Sequence, residues 1–321
     1  MTLVVGFSPD GRGKAVLHLA GMLARTADED LLVCAVIPIP WPPSPARVDA
    51  EYRAHLDGTA NDALDQARER LPADVPAAFL VHHARSTPAG LLDVAEQHDA
   101  GLIVAGSSSA GALGHVSLGS VTSRLVHSSP VPVALAPRGF RCRPDARVAR
   151  VTAAFGGSGD ADDLVVAAAG VTGRAGAALR LASFAVRPRP PYTSGVGRQA
   201  DEAMIGEWVR DVEAAGRAAL GKVGDLPAAP RDLDAVVGHG ESWAEALEDV
   251  DWQEGDVLVV GSSTIGPVAR VFLGSRASKI VRHSPVPVVV VPRGAAAELA
   301  DQAVQGDPGQ RLPDDPVGDQ G

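Results

Sequence analysis

An internal repeat at a fixed offset sets the architecture of this chain. Residues 102–139 read LIVAGSSSAGALGHVSLGSVTSRLVHSSPVPVALAPRG, and residues 257–294 read VLVVGSSTIGPVARVFLGSRASKIVRHSPVPVVVVPRG. The two segments align without a gap at an offset of 155 residues, and 19 of the 38 aligned positions are identical. A repeat of this length and fidelity indicates that one structural unit occurs twice in the chain.

Both halves alternate short apolar runs with amphipathic segments of helical length. The run at 31–37 has no polar alternation, and helical spacing follows over 48–71. Strands that are apolar throughout are typical of parallel sheets covered by helices on both faces. The pattern therefore predicts an α/β fold of two tandem doubly wound domains, each with a five-stranded parallel sheet. We expect domain 1 to span residues 1–141 and domain 2 to span residues 146–294.

Length and charge limit the classes of partner. The 321 residues, 45% of them hydrophobic, suffice for two cores. A formal net charge of −10 argues against nucleic acid and anionic membranes as partners, because both attract clustered Lys and Arg. Residues 295–321 hold six acidic residues, one arginine and few side chains to bury, so we expect a disordered acidic C-terminal tail there.

Cysteine usage and hydropathy indicate the compartment. Cys34 and Cys142 are the two cysteines, too few for a disulfide framework or a thiolate metal site. The strongly apolar runs, such as 286–291, are far shorter than the ~20 residues that cross a bilayer. Met1 leads directly into a strand-like run rather than a basic leader. The sequence therefore predicts a cytoplasmic protein with no membrane segment and no metal site of its own.

Each repeat contains a Gly- and Ser-rich loop that leaves a predicted strand and enters a predicted helix. Glycine lets a backbone approach a bulky ligand, and the free N–H groups at a helix start suit phosphate oxygens. Taken singly, the same residues also suit a turn and a helix cap. The loop positions concerned are Gly106, Gly119 and Ser120 in the first copy and Gly261, Gly274 and Ser275 in the second.

The order Gly, two residues, Gly, nine residues, Gly-Ser resembles the ATP-binding signature of the universal stress protein family. Ser109 and Thr264 replace the middle glycine in the two copies. The resemblance covers nearly all of residues 1–294, including the Ser-Pro-Val-Pro-Val segments at 129–133 and 284–288. It implies that the loops, with Ser109 and Thr264 among their residues, bind an adenine nucleotide, ATP, which can bring Mg²⁺ with it.

Two further pairs of residues are secondary candidates for the nucleotide site. The family resemblance implies an aspartate just after the first strand that contacts adenine, and this place falls on Ser8 and Gly156, neither of which supplies a carboxylate. His115 and Arg270 occupy equivalent loop positions, where a cation can face phosphates or remain solvated.

The chain shows no constellation typical of an enzyme. No nucleophile with a base, paired carboxylates or metal cluster stands out, so we predict no catalytic residue and leave only slow ATP hydrolysis open. The leading interpretation is a stress-response regulator or sensor that binds an adenine nucleotide. The alternative is a scaffold that has lost nucleotide binding and contacts an unidentified protein partner, as the replaced aspartate and middle glycine favour.

The last strand of each half bears on assembly. Residues 131–136 and 286–291 are apolar edge-strand candidates with prolines at their starts. The resemblance implies that single-domain relatives pair through their final strands, and an exposed apolar edge favours association. We therefore expect the two halves to pair within the chain as a pseudo-dimer, with a further homodimer left open.

Overall fold

Two similar sets of strands and helices make up the parts of the chain that this computed structural model describes, residues 2–8, 13–39, 48–108, 111–157, 162–187, 195–264 and 271–305. The first half contains β1 (Thr2–Gly6), α1 (Lys14–Ala27), β2 (Asp30–Pro38), α2 (Val48–Arg70), β3 (Ala77–Ala84), α3 (Thr87–Gln97), β4 (Ala100–Gly106), α4 (Ser120–Ser128) and β5 (Val133–Ala136). The second half contains β6 (Arg150–Ala154), α5 (Asp162–Ala175), β7 (Ala178–Val186), α6 (Gly195–Val223), β8 (Leu233–Gly240), α7 (Trp243–Glu248), β9 (Asp256–Gly261), β10 (Ser263–Thr264), β11 (Val271–Phe272), α8 (Ser275–His283), β12 (Val288–Val291) and α9 (Arg293–Gln305).

Local sequence explains where these elements form. Every residue from Leu31 to Ile37 in β2 is buried, as expected for a strand covered on both faces. Serine caps begin the corresponding helices α3 and α7: Ser86 Oγ accepts from the N–H of Ala89 at 3.4 Å, and Ser242 Oγ accepts from the N–H of Glu245 at 3.2 Å. The same cap at the same place confirms that the repeat extends beyond the block of identical residues.

Each half forms a five-stranded parallel sheet with helices on both faces. The strand order is β3-β2-β1-β4-β5 in the first half and β8-β7-β6-β9-β12 in the second. The predicted doubly wound α/β fold is thus confirmed. The order reverses beside β1 in one half and beside β6 in the other, and ligands of such sheets bind outside the carboxyl ends of the strands at this switch point.

The two sheets join through their last strands. β5 and β12 pair antiparallel, with Val133 opposite Val290 and Leu135 opposite Val288. The ten strands therefore form one continuous sheet, and the predicted pairing of the two final strands within the chain is confirmed. All four of these side chains are buried, so the pairing removes an apolar edge from solvent.

One hydrophobic layer lies on each face of the ten-stranded sheet, and each runs through both halves. Helices α1, α2, α5, α6 and α9 cover one layer, in which Val5 of β1 is buried. Helices α3, α4, α7 and α8 cover the other, to which the neighbouring Val4 contributes. Successive residues of a strand point to opposite faces, so a single apolar run supplies both layers.

Helix α9 corrects the prediction of a disordered tail. Residues 293–305 are helical and pack against α5. Ala296, Ala300 and Ala303 form a buried stripe of small side chains, and a Cβ placed on Gly170 of α5 would lie 2.4 Å from the Cβ of Ala303. The prediction is wrong up to Gln305, because small residues at helical spacing bury enough surface by close approach. Residues 306–321 lie outside the described part of the chain.

A buried ionic cluster lies at the amino ends of the strands in the second half. Asp256 accepts from Arg150 Nε at 3.0 Å and from its Nη2 at 2.6 Å. Arg180, which is 2% exposed, lies 3.6 Å from the same carboxylate and donates from Nε to Thr152 Oγ1 at 3.1 Å. Burial lowers the pKa of Arg180. The cluster is at the opposite end of the strands from the switch point and has a structural role.

The segment that connects the halves packs against α1. The thiol of Cys142 donates to the carbonyl of His18 at 3.4 Å, and the N–H of Val148 donates to Thr26 Oγ1 at 2.8 Å. Burial raises the pKa of the Cys142 thiol and lowers that of His18. Cys34 is buried in β2, and its burial raises the thiol pKa to about 12. Both thiols are free and protonated at neutral pH.

Candidate functional site

A cavity of about 810 Å³ opens in the second half at the carboxyl ends of β6, β7 and β9. These ends form the switch point of the second sheet, where a ligand is expected. The volume falls within the roughly 300–1,000 Å³ of small-molecule sites. The cavity therefore has the place and the size of a ligand site.

Aromatic side chains form much of the cavity wall. Phe155 follows β6, Phe184 lies in β7, and Trp208 reaches the cavity from α6. Trp243, the first residue of α7, also lines it, and the Lys279 ammonium lies 5.7 Å from the centroid of its ring. Such walls suit the flat face of an aromatic ring.

Another part of the cavity lies between the end of β9 and the start of α8. Gly261 and Ser262 line it from the strand, and Gly274 and Ser275 line it from the helix. A Cβ placed on Gly274 would meet no atom within 4 Å. The glycine thus leaves open space directly beside the helix N-terminus, where N–H groups favour an anion.

Ser262 has an unsatisfied hydroxyl in this wall. The residue is 8% exposed, and its Oγ is buried without a hydrogen-bond partner among the described residues. Its N–H donates to the carbonyl of Val291 at 2.9 Å, which fixes the backbone at the end of β9. A buried hydroxyl without a partner costs free energy, and a polar ligand in the cavity can supply the missing hydrogen bond.

In the equivalent loop of the first half the serine hydroxyl has partners, while the Nδ1 of His115 is buried without one among the described residues. Ser107, the counterpart of Ser262, donates from Oγ to the carbonyl of Ala136 at 2.6 Å and accepts from the N–H of Ser117 at 3.2 Å. The N–H of Ser108 donates to the carbonyl of Ser117 at 2.8 Å. A Cβ on Gly119 would lie only 3.1 Å from the Cβ of Ser108. The counterpart in the second half also pairs its backbone here, Ser263 with Phe272. Among the described residues, the two loops therefore differ in the partners of their Ser107 and Ser262 hydroxyls.

Arg138 ties the far end of the first loop to the end of β5. Its Nη1 donates to the carbonyl of Gly111 at 2.6 Å, and its N–H donates to the carbonyl of His115 at 3.0 Å. Its own carbonyl accepts from the N–H of Gly114 at 2.9 Å. These bonds hold residues 111–115 close to the sheet and fix the backbone around His115.

The structure brings together only part of the residue set predicted from the sequence. Gly156, Gly261, Gly274 and Ser275 line the cavity of the second half. Gly106, Gly119 and Ser120 lie at the ends of β4 and α4 around the self-bonded loop, and Ser8 is exposed after β1. Thr264 lies in β10, and nothing is described of its side chain. Ser109 and Arg270 lie outside the described residues.

Sequence reasoning missed several residues of the cavity wall. Ser262 and Arg276 flank the predicted glycines, and Phe184, Trp208 and Trp243 form the aromatic wall. A signal for Ser262 was present, because a serine directly follows the first glycine of the loop in both copies. Arg276 stands where the first copy has Val121. The two tryptophans are far apart in sequence and carry no spacing pattern, so only the fold brings them together.

Metal-binding and membrane-spanning features are absent from the described residues. They contain no group of three or more His, Cys, Asp and Glu that could hold a metal ion. The histidines of β3 instead lie beside single carboxylates, His83 at 2.7 Å from Asp57 and His82 at 3.9 Å from Asp93. Within the same ranges, no helix has the length and apolar character needed to span a membrane.

Comparison with known proteins identifies the family. The model of the universal stress protein family matches residues 1–137 and again residues 148–292. Universal stress proteins of Mycobacterium tuberculosis and Mycobacterium bovis are each 39% identical to this chain over 296 residues, which is 91% of this chain and 100% of theirs. The match thus extends through both halves.

Solved structures share the fold over nearly the whole chain. A universal stress protein of Archaeoglobus fulgidus is 21% identical, with a TM-score of 0.59 and coverage of 91% of this chain and 98% of its own. A Pseudomonas aeruginosa protein assigned to the same group is 17% identical, with a TM-score of 0.54 and coverage of 94% and 97%. The repeated fold, the doubled family match and the curated relatives agree, and the chain belongs to the universal stress protein family.

Proposed function

We propose that the second half binds an adenine nucleotide, ATP in particular, and that the protein is a stress-response regulator or sensor of that nucleotide. The observation that carries this proposal is the buried, unpartnered hydroxyl of Ser262 in the wall of the cavity. It lines the same cavity as the helix N-terminus at Gly274. A strand-end hydroxyl and free helix N–H groups together suit phosphate oxygens.

The aromatic part of the cavity supports a purine as the other half of the ligand. Phe184, Trp208 and Trp243 offer flat apolar faces beside the ends of β7 and β9. Stacking of a base on an aromatic side chain is worth roughly 1–3 kcal/mol. Gly156 provides no carboxylate for base recognition, so the choice of adenine follows from the family pattern of the glycine loop and stays part of the proposal.

The chemistry of the wall favours binding over turnover. Among the described residues that line the cavity there is no aspartate, glutamate, histidine or cysteine. These residues provide no general base for water, and no carboxylate that suits Mg²⁺. Any Mg²⁺ therefore enters on the phosphates of ATP, and the proposed role is that of a binder without rapid hydrolysis.

A scaffold role fits the first half better. The hydroxyl of Ser107 and the N–H groups of Ser108 and Ser117 already have partners within the loop. A phosphate in this loop has to compete with those bonds. We therefore propose that the first half has a structural role, in which it pairs with the second half and offers a surface to a protein partner.

Ligand identification tests the proposal. The protein is purified, its bound small molecules are released by denaturation and analysed by mass spectrometry, and the stripped protein is titrated calorimetrically with ATP, AMP and GTP. We expect ATP to bind and to exceed GTP in affinity. If no nucleotide is carried and millimolar ATP produces no binding, the scaffold role applies to the whole chain and the proposal is wrong.

A further inference from the structure

One cation lines the cavity among the described residues. Arg276 is the second residue of α8, directly after Ser275, and its side chain is exposed at the cavity wall. No ion pair or hydrogen bond to its guanidinium occurs among the described residues. Every other described residue of the lining is uncharged. Among the described lining residues, the guanidinium is therefore the only fixed positive side-chain charge offered to a ligand.

The charge is specific to the second copy. Arg276 aligns with Val121 of α4, whereas the next cation along the helix is kept as Lys279 in one copy and Arg124 in the other. A general need for a basic helix surface accounts for the kept cation but not for Arg276. Arginine stands in place of valine in the copy whose helix N-terminus lines the cavity.

Two groups in the same cavity wall as Arg276 favour a bound anion. The helix N-terminus at Gly274 carries positive dipole charge, and Ser262 presents an unpartnered buried hydroxyl from the end of β9. These groups suit the first phosphate of a nucleotide. An exposed guanidinium on the adjacent residue suits oxygens further from the sugar, because arginine binds phosphate through two parallel N–H donors.

The net charge of the protein increases the importance of this residue. A chain of net charge −10 repels a polyanionic ligand, and the repulsion rises with each phosphate added. A local cation opposes this repulsion most for the ligand with the most charge. The contributions of the helix dipole and of the hydroxyl to binding depend less on the number of phosphates.

We propose that Arg276 determines phosphate-count specificity, binding the outer phosphates so that the second half prefers a nucleoside triphosphate to the monophosphate. This inference rests on the proposed nucleotide site and adds a residue and a selectivity to it. The family glycine pattern does not require it, since Val121 occupies the same position in the first copy.

Calorimetric titration of AMP, ADP and ATP into matched variants tests the inference. We expect Arg276→Ala to weaken ATP by about tenfold or more and AMP by less than about threefold. Arg276→Lys keeps the positive charge but lacks the two parallel N–H donors of a guanidinium. Its ATP affinity should therefore lie between those of the unmodified protein and Arg276→Ala. Arg282→Ala removes an exposed cation of the same helix that does not line the cavity, and should leave all three affinities unchanged.

The outcomes separate this inference from the site on which it rests. If the unmodified protein binds ATP but Arg276→Ala weakens AMP and ATP equally, or weakens neither, the selectivity is wrong while the site stands. If the unmodified protein binds no nucleotide, both are wrong. Unchanged thermal unfolding of the two Arg276 variants shows that a loss of affinity does not come from a loss of fold.

Discussion

Ser107 and Ser262 occupy the same position in the two halves, yet their hydroxyls have different surroundings. The first donates to Ala136 and accepts from Ser117, whereas the second is buried without a partner at the wall of a cavity. Both follow a glycine at the end of a strand in an identical tripeptide. The next residue is paired in both halves, Ser108 with Ser117 and Ser263 with Phe272, so the described parts of the two loops differ in the partners of one serine hydroxyl.

The amino ends of the strands differ between the halves as well. Thr152 and Arg180 of the second half stand where the first half has Val4 and Leu32, so an ionic cluster replaces an apolar contact. The second half thus combines an open cavity at one end of its sheet with buried charge at the other. The first half has a loop whose serine hydroxyl has partners, and it has apolar residues at the positions of Thr152 and Arg180.

Removal of Asp256 should have the largest effect, because it lowers the stability of the second half, which contains the ionic cluster. Asp256→Ala leaves Arg150 and Arg180 without their carboxylate, and breaking a buried pair in this way costs about 3–5 kcal/mol of unfolding free energy. Urea denaturation measures the change. The control Asp232→Ala breaks an exposed pair with Arg231 and should cost less than about 1 kcal/mol. Equal small effects of both variants are incompatible with a cluster that stabilises the second half.

Alanine at the two equivalent serines should give opposite results. Ser107→Ala loses a donor and an acceptor that have partners, so the free energy of unfolding should fall by about 1–2 kcal/mol while ATP affinity is unchanged. Ser262→Ala removes a hydroxyl that has no partner, so stability should stay the same or rise slightly while ATP affinity falls about fivefold to tenfold.

Denaturation and calorimetry on both serine variants check this pair of expectations. An equal loss of stability in the two variants, with no change in affinity for either, contradicts the distinction between a serine hydroxyl that has partners and one that has none.

The smallest expected effect concerns the joint between the halves. Burial, with a further contribution from Arg141, lowers the pKa of His18 below its ordinary 6.5. As the pH falls below about 6.5, His18 is therefore protonated in the unfolded chain before it is protonated in the folded chain. Protonation of the unfolded chain favours unfolding, so the neutral, buried His18 costs no stability above that pH and lowers the free energy of unfolding progressively below it. His18→Gln should lose less stability than the unmodified protein between pH 7.5 and pH 5.5.

Urea denaturation at the two pH values measures this difference. The variant His55→Gln removes an exposed imidazole of α2 and serves as the control. If His18→Gln and His55→Gln show the same pH dependence, the burial of His18 beside Cys142 does not contribute to acid sensitivity.

The repeat made most of the fold predictable. Fully apolar strands such as β2 indicate a sheet covered on both faces, and the apolar edges of β5 and β12 indicate that the two halves pair. Helix α9 was missed because charge and composition dominated the interpretation of residues 295–321, while its stripe of alanines depends on the close approach allowed by Gly170.

The candidate site was less predictable. Gly261, Gly274 and Ser275 follow from the spacing of the loop, but Trp208 and Trp243 reach the cavity only through the placement of α6 and α7. Identical residues cannot show which serine hydroxyl has partners, because the partners of Ser107 are backbone groups of Ala136 and Ser117. Backbone hydrogen bonds of this kind depend on the path of the loop rather than on side-chain identity.

Titration of ATP into two glycine variants tests most directly whether the second half is the nucleotide-binding half. A Cβ on Gly274 enters open space at the cavity, so Gly274→Val should fill the position of a phosphate without a steric clash. A Cβ on Gly119 instead lies 3.1 Å from the Cβ of Ser108, so Gly119→Val presses on that residue. Circular dichroism verifies that both variants fold. We expect one ATP to bind per chain, and this binding to be lost in Gly274→Val and kept in Gly119→Val. Two ATP per chain, or loss in Gly119→Val with retention in Gly274→Val, contradicts it.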